Sequence, residues 1–155
     1  MKENWKKLLI ALAIPLAVGG LSWLLSGGSG DYRALNQPPL SPPGWLFPIV
    51  WTVLYLLMGY SSYRVHTAEK SPALTQRALK LYIAQLAVNF LWPLVFFALQ
   101  WYLAAFFVLV VLWALIFLTL RDFSKIDEIA GDLLIPYLLW VTFAGYLNIS
   151  IYFLN

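Results

Sequence analysis

Aromatic and polar side chains recur at helical spacing in three apolar segments of the sequence. Members of each set lie three or four residues apart, which places them on one face of a helix. The three sets are Trp51, Tyr55, Gly59 and Ser62; Gln85, Asn89, Trp92 and Phe96; and Tyr137, Trp140, Ala144 and Asn148. Rings offer flat stacking surfaces and amides offer hydrogen bonds, so three such faces could enclose a flat, mostly apolar ligand. Helix packing alone produces the same pattern.

The amide side chains within these segments allow two interpretations. An unpaired amide in lipid is costly, so intramembrane amides usually face other helices and bond to them. Asn89 and Asn148 could hold a helix bundle together in this way. Alternatively, Asn89 could donate a hydrogen bond to the carbonyl or carboxylate of a ligand in a central pocket.

The residues of conventional catalysis are scarce. The sequence has no cysteine and a single histidine, His66, which stands near Arg64 at the end of an apolar run, a position typical of the membrane interface. It offers no Ser–His–Asp arrangement, carboxylate pair or Cys/His cluster for a nucleophilic, acid–base or metal site. We therefore expect no ordinary catalytic residues, no bound metal and no resident cofactor.

The composition is that of a membrane protein. Hydrophobic residues make up 62% of the 155 residues, and charged residues only 11%. A soluble domain carries about 25% charged residues. The chain has too few charged residues to cover a surface that faces water, so we expect a lipid bilayer around it.

Uncharged runs place the membrane-spanning helices. A span needs about 20 apolar residues, and runs at 8–25, 45–63 and 133–154 meet that length. The run 81–120 would extend to about 60 Å as one helix, twice the bilayer core, so it must fold back near Gln100. We predict a single all-α membrane domain over 1–155, a five-helix bundle with helices at about 5–26, 44–66, 72–99, 101–122 and 126–154.

The basic residues fall almost entirely on one side of this five-span topology. Of the ten Lys and Arg, all except Arg33 belong to the side that holds the N-terminus and the second and fourth loops. The positive-inside rule makes that side cytoplasmic and puts the C-terminus and the loop 27–43 on the opposite side. The net charge of +3 is explained by topology, and no nucleic-acid partner is expected. Every Asp, Glu, Lys, Arg and His lies at the end of a span or in a loop, which argues against an ion-coupled transporter.

Other aromatic residues suit the headgroup region, where amphipathic rings anchor helices. We assign to it Trp5, Trp23, Trp45, Trp101 and Tyr152.

The segment "LSPPGWLFPIVW" (40–51) leads from the first loop into the second span. Pro42, Pro43 and Gly44 predict a rigid exit from the loop, because proline fixes φ and is tolerated only in the first helical turn. Pro48 comes later than a helix start at 44 would favour, so we predict a local kink there that turns Trp51 inward.

Three motifs in order resemble the translocator protein family, TspO/MBR, also called tryptophan-rich sensory proteins or peripheral-type benzodiazepine receptors. The first is "PPLSPPGWLFPIVWTVLYLLMGYSSYRV" (38–65), similar to the family's Pro-Pro-x-Trp entry and Trp-Thr-x-Leu-Tyr-x-x-Met-Gly-Tyr signature. The second is "VNFLWPLVFF" (88–97) and the third is "LLIPYLLWVTFAGYLN" (133–148). The resemblance covers essentially the whole chain.

The resemblance implies a five-helix bundle, commonly a homodimer in a membrane, which for a bacterial member is the cytoplasmic membrane. It implies binding of porphyrins such as protoporphyrin IX and of benzodiazepine-type drugs. It places ligand-facing residues at Trp51, Trp140, Asn89 and Ala144, with the loop 27–43 as a lid. Tyr55 and Trp92, from the faces described above, and Tyr32, on the lid, complete the candidate binding set.

Cholesterol is a partner of some family members, but the sequence departs from the pattern this requires. The sterol motif at the end of the fifth helix needs a tyrosine followed by a basic residue, and "YLNISIYFLN" (146–155) contains none. High-affinity cholesterol binding is therefore not expected.

Two functions remain open. The first is a membrane receptor or carrier for tetrapyrroles with a sensing or transport role, in which Trp51 and Trp140 stack on the ligand. Since no His or Cys lies within a span to ligate iron, a metal-free porphyrin is the more natural ligand. The alternative is an enzyme for light- and oxygen-dependent porphyrin degradation, with the same two indoles beside the photosensitiser and the chemistry residing in the ligand.

Overall fold

The chain forms an all-α bundle with five segments long and apolar enough to cross a membrane in the part described. The computed structural model describes residues 2–27 and 35–155. Helix α1 is Lys2–Ser26, α2 is Leu46–Thr67, α3 is Pro72–Pro93, α4 is Tyr102–Ile126, α5 is Glu128–Asp132 and α6 is Ile135–Leu154. The predicted fold class, an all-α membrane bundle of five spans, is confirmed.

Helix α1 lies against α2 and α3, and close approach depends on small residues. A Cβ added at Gly59 on α2 would lie 2.6 Å from the carbonyl oxygen of Ala11 on α1, so only glycine allows this crossing. Further along α1, a Cβ at Gly19 would overlap the ring of Tyr55. The two glycines thus hold the Tyr55 face of α2 directly against α1.

Proline changes the end of the third span. Pro93 has no N–H to donate to the preceding turn, and the chain continues as a π-helical turn, Leu94–Ala98. There Leu99 N donates to Leu94 O over 3.0 Å. The wider turn allows the consecutive residues Phe96 and Phe97 both to be buried. The chain then reverses at 99–101, where Gln100 adopts a positive φ of 57°.

The fifth span consists of two helices rather than the one continuous helix predicted over about 126–154. Asp127 caps α5 by accepting hydrogen bonds from the backbone N–H groups of Ile129 and Ala130, at 3.0 and 3.3 Å. A turn at 133–134 separates α5 from α6, and Pro136 lies in the first turn of α6. The continuous apolar run at 133–154 did not predict this interruption.

Ion pairs join the helix ends on the basic side of the bundle. Arg64 Nε of α2 lies 3.0 Å from Asp127 Oδ2, and Arg77 Nε of α3 lies 2.9 Å from Asp122 Oδ2 of α4. Asp122 is fully buried and also contacts Arg121 at 3.3 Å. A buried carboxylate needs such partners. These pairs hold α3 beside α4 and α2 beside α5.

Helix α2 begins at Leu46, two residues later than predicted. Pro48 is therefore its third residue, where a missing N–H costs no intrahelical hydrogen bond. The kink expected near Pro48 is not needed to bring Trp51 inward. Trp45, 63% exposed, directly precedes the helix, in keeping with its assignment to the interface.

Candidate ligand site

An aromatic cavity of about 200 Å³ lies between α1, α2 and α3. Trp51 and Tyr55 of α2 line it and stack on each other, with ring centroids 5.6 Å apart and an interplanar angle of 30°. Asn89 and Trp92 of α3 form the facing wall. Four of the predicted site residues therefore meet at one cavity.

A second, much smaller cavity of about 20 Å³ lies on the other side of these rings, toward α6. Trp140 and Ala144 line this cavity and do not line the larger one. Four residues belong to the walls of both cavities, namely Phe47, Trp51, Trp92 and Phe97. The predicted binding residues are thus divided between two spaces that share an aromatic partition.

Asn89 is the centre of a hydrogen-bond network inside the bundle. Its Oδ1 accepts from the hydroxyl of Tyr55 over 2.7 Å, and its Nδ2 donates to the hydroxyl of Tyr137 over 2.6 Å. Tyr137 in turn donates to Gln85 Oε1 over 2.7 Å. The network joins α2, α3 and α6, so Asn89 holds helices together while it also lines the larger cavity.

Asn148 forms a second junction between helices. Its Oδ1 accepts from the indole Nε1 of Trp92 over 3.0 Å, and its Nδ2 donates to the carbonyl of Tyr102 over 2.7 Å. The bond fixes the orientation of the Trp92 ring in the partition. Asn148 therefore joins neighbouring helices by hydrogen bonds, as the packing interpretation of the sequence predicted.

Trp140 carries a buried hydrogen-bond donor beside the smaller cavity. Its ring packs edge-on against Phe47, at a centroid distance of 6.0 Å and an angle of 66°. Its Nε1 is buried and has no hydrogen-bond partner in the described part of the chain. A buried indole N–H usually finds an acceptor, so this donor is available to a ligand.

Part of the first loop lies across the end of α6. The Tyr146 hydroxyl donates to the carbonyl of Pro39 over 2.7 Å. Asn36 and Asn155 exchange hydrogen bonds, with Asn36 N donating to Asn155 Oδ1 over 3.2 Å and Asn155 Nδ2 donating to Asn36 O over 3.0 Å. The predicted lid residue Tyr32 lies outside the described residues.

Trp23 was assigned from sequence to the interface alone, and the structure adds a contact with the larger cavity that was not predicted. Trp23 lines the larger cavity and packs edge-on against Phe97, with centroids 6.2 Å apart. The signal that could have placed it is Gly19, four residues earlier on the same helical face. Phe47 and Phe97 were also missed as wall residues, because aromatic residues in an apolar run carry no mark of which neighbour they meet.

Comparison with known proteins agrees with the architecture. Residues 11–154 match the TspO/MBR family. The chain belongs to the TspO/MBR family. It is 42% identical over 155 residues to a tryptophan-rich sensory protein of Cereibacter sphaeroides, covering 100% of this chain and 95% of the relative. It is 36% identical over 157 residues to the tryptophan-rich protein TspO of Chlorobaculum tepidum, covering 100% and 99%.

Relatives extend beyond bacteria. A translocator protein of Bos taurus is 34% identical over 153 residues, covering 96% of this chain and 89% of the relative. Family membership and the five apolar helical segments together make the chain an integral multi-pass membrane protein. The resemblance drawn from the three sequence motifs is confirmed.

The tryptophans of this TspO/MBR chain divide into three groups. Four of the eight lie at the two cavities: Trp23, Trp51, Trp92 and Trp140. Trp5, Trp45 and Trp101 are each more than 60% exposed. Trp113 donates its Nε1 hydrogen to Thr142 Oγ1 over 2.9 Å, between α4 and α6. Half of the indoles are therefore gathered where a flat ligand could stack.

Proposed function

We propose that this chain is a membrane receptor or carrier that binds a flat, mostly apolar tetrapyrrole, such as protoporphyrin IX, at the two aromatic cavities. The names of its relatives, tryptophan-rich sensory protein and translocator protein, support a sensing or transport role. The observation that carries the proposal is the buried, unpaired Nε1 of Trp140 beside a partition that contains Trp51. Benzodiazepine-type ligands would use the same surfaces.

The cavities must join for such a ligand to enter. Ligand pockets usually enclose about 300–1,000 Å³, and the larger cavity encloses about 200 Å³. Rotation of the shared rings, chiefly Phe47 and Trp51, would merge it with the smaller cavity of about 20 Å³, and the helices would also have to move apart to reach that range. The ligand would then contact Trp140 and Ala144 as well as the α2 and α3 walls. Binding would select this open arrangement from the ensemble.

Each wall contributes a definite interaction. Trp51 and Trp140 supply large apolar ring surfaces, and removing ligand surface from water or lipid headgroups drives binding. Trp140 Nε1 donates to a carbonyl or carboxylate of the ligand. Asn89 uses one of its two Nδ2 hydrogens for Tyr137 and retains the other for the ligand. No His or Cys that could ligate haem iron is among the described lining residues, which favours a metal-free porphyrin as the ligand.

A dark titration tests the proposal. Purified protein in nanodiscs is titrated with protoporphyrin IX while tryptophan fluorescence is followed. Native protein should show saturable quenching. Trp51→Phe and Trp140→Phe should each raise the dissociation constant by about tenfold, as expected when one stacking or hydrogen-bond contact is lost. Trp101→Phe is the matched control, because Trp101 is 61% exposed and lines neither cavity. Absence of saturable binding by the native protein would overturn the proposal.

Illumination of the same samples separates binding from turnover. Two oxidisable indoles, Trp51 and Trp140, at the walls of one small cavity favour the degradative alternative as the second candidate. Light-dependent loss of the Soret band that both Trp→Phe variants abolish would establish that activity. A stable Soret band in light, with binding intact, would leave the receptor or carrier role alone.

The proposal extends to location and assembly. We place the chain in a bacterial cytoplasmic membrane as a homodimer, following the family resemblance. The mass of the complex in nanodiscs measures the dimer directly.

A further inference from the structure

A third space, larger than either aromatic cavity, lies away from both of them. It is a recess between α1, the end of α2 and the first half of α3. It encloses about 780 Å³ and opens along the side of the bundle. Its lining includes Ile10 and Ile14 of α1 and Ile83 and Phe90 of α3, and it shares no residue with the aromatic cavities. We call this recess the lateral groove.

We infer that the lateral groove binds one anionic phospholipid, with an acyl chain along its apolar wall and the phosphate at Lys7 and His66. This inference does not rest on the proposed tetrapyrrole function, because the two sites have separate walls.

The length of the groove fits an acyl chain. Its lining extends from Lys7 to Val18 on α1 and from Leu79 to Phe90 on α3. At about 1.5 Å per residue, each wall is about 16 Å long. One leaflet of a bilayer core is about 15 Å deep. The groove therefore has the depth of a single leaflet.

Polar groups lie at one end of the groove only. Lys7, Tyr63 and His66 lie where α1 begins and α2 ends, and the deeper lining residues are apolar apart from Ser62 and Tyr82. No carboxylate is among the lining residues that the structure describes. Lys7 places a positive charge at this end of the lining, and basic pockets between spans are known to favour anionic headgroups.

Tyr82 gives a second, independent indication of a ligand. Its side chain is 5% exposed and lines the groove, and its hydroxyl has no hydrogen-bond partner at bonding geometry within the described chain. Ser62 lies beside it but donates to the carbonyl of Gly59 over 2.9 Å. A buried phenol usually donates to an acceptor. The ester carbonyl of a phospholipid, just below its phosphate, supplies one.

A second copy of the chain fits the groove less well. A twofold interface uses the same patch on both subunits. Pairing two grooves would bring the two Lys7 side chains to the same end of the interface, where like charges repel.

Lipid preference in nanodiscs tests the inference. The protein is placed in phosphatidylcholine discs containing spin-labelled phosphatidylglycerol or spin-labelled phosphatidylcholine, and the motionally restricted fraction is measured by electron paramagnetic resonance without porphyrin. Native protein should hold phosphatidylglycerol more strongly. Lys7→Gln should lower that preference by about fivefold, the loss of one lysine–headgroup contact. Lys6→Gln, an exposed neighbour that does not line the groove, should leave it unchanged.

Further variants separate the parts of the site. Tyr82→Phe should weaken retention of both lipids equally, because both carry ester carbonyls. Ala87→Trp should fill the groove and release one restricted lipid, whereas Ala114→Trp, on the exposed face of α4, should not. Circular dichroism on heating checks that each variant is folded; where Ala87→Trp does not fold, the lysine and tyrosine variants decide.

Three results would overturn the inference. One is equal retention of both lipids by the native protein, and another is an equal effect of Lys6→Gln and Lys7→Gln. The third is efficient crosslinking of Ile83→Cys between two copies with no restricted lipid, which would assign the groove to a second copy. The chain has no cysteine of its own to complicate that experiment.

Discussion

At the residue scale, hydrogen-bond partners decide what each polar side chain in the bundle does. The sequence left Asn89 open between helix packing and ligand binding. In the structure its amide joins Tyr55 and Tyr137 and also lines the larger cavity, so both uses are compatible with its position. Trp140 differs, because its donor is buried and unpaired. The unpaired donor, rather than the paired amide, is the stronger mark of a ligand contact.

Removing one hydroxyl should show how much the network contributes to stability. Tyr137→Phe leaves the Nδ2 donor of Asn89 and the Oε1 acceptor of Gln85 without their partner, and unsatisfied buried groups cost about 1–3 kcal/mol each. We expect the free energy of unfolding to fall by about 1–3 kcal/mol, since membrane interiors often allow partial compensation. Reversible denaturation in mixed detergent, followed by circular dichroism, measures the change.

Tyr146→Phe is the matched control for this variant. Tyr146 is 38% exposed and donates to the Pro39 carbonyl near the end of the bundle, where water can replace the bond. Its loss should change stability by less than about 1 kcal/mol. Equal destabilisation by the two substitutions would show that the buried network contributes no more to the free energy of unfolding than an exposed hydrogen bond does.

At the element scale, glycine placement sets how closely α1 and α2 approach. The Tyr55 ring reaches the larger cavity while covering Gly19, and the backbones cross at Gly59 and Ala11. Proline acts on α3, where the π-helical turn after Pro93 buries both Phe96 and Phe97. Small and rigid residues therefore position the aromatic walls more than local propensity does.

Adding one methyl group to α2 should test the close crossing. Gly59→Ala places Cβ 2.6 Å from a backbone oxygen of α1, which cannot move aside as a side chain would. We expect a loss of about 1–3 kcal/mol in stability, the usual range for overpacking. Gly20→Ala, whose added Cβ would meet no atom of another helix within 4 Å, should be neutral or stabilising by up to about 1 kcal/mol. Thermal denaturation of both variants in the same detergent gives the comparison, and a Gly59→Ala protein as stable as Gly20→Ala would contradict it.

At the scale of the whole molecule, charge and packing agree on which helix ends lie together. The pairs Arg64–Asp127 and Arg77–Asp122 join the ends of four helices at the basic side. The opposite end carries the described part of the first loop, held to α6 by Tyr146 and Asn155. The aromatic cavities and the lateral groove thus occupy different parts of one bundle.

Thiol labelling should fix the orientation that the charges predict. Leu40→Cys and Glu69→Cys place single exposed cysteines at opposite ends of the bundle, in a chain that otherwise has none. A membrane-impermeant reagent should label the first from outside intact spheroplasts and the second only after permeabilisation, since the positive-inside rule predicts that the basic side is cytoplasmic. The reverse pattern would show that the positive-inside bias does not set the topology of this chain.

The sequence by itself determined the five spans, the hairpin within 81–120, the basic side and the family. Each depends on features that are local along the chain, such as uncharged length, charge position and motif order. Tertiary structure alone decided that Trp23 lines the larger cavity, that Trp140 is separated from it by Phe47 and Trp51, and that Asp122 is buried between arginines. Helical periodicity tells which side chains share a face, but in a chain so uniformly apolar every face can be buried. The partner of each face is set only when close contacts such as Gly59 against Ala11 fix how the helices cross.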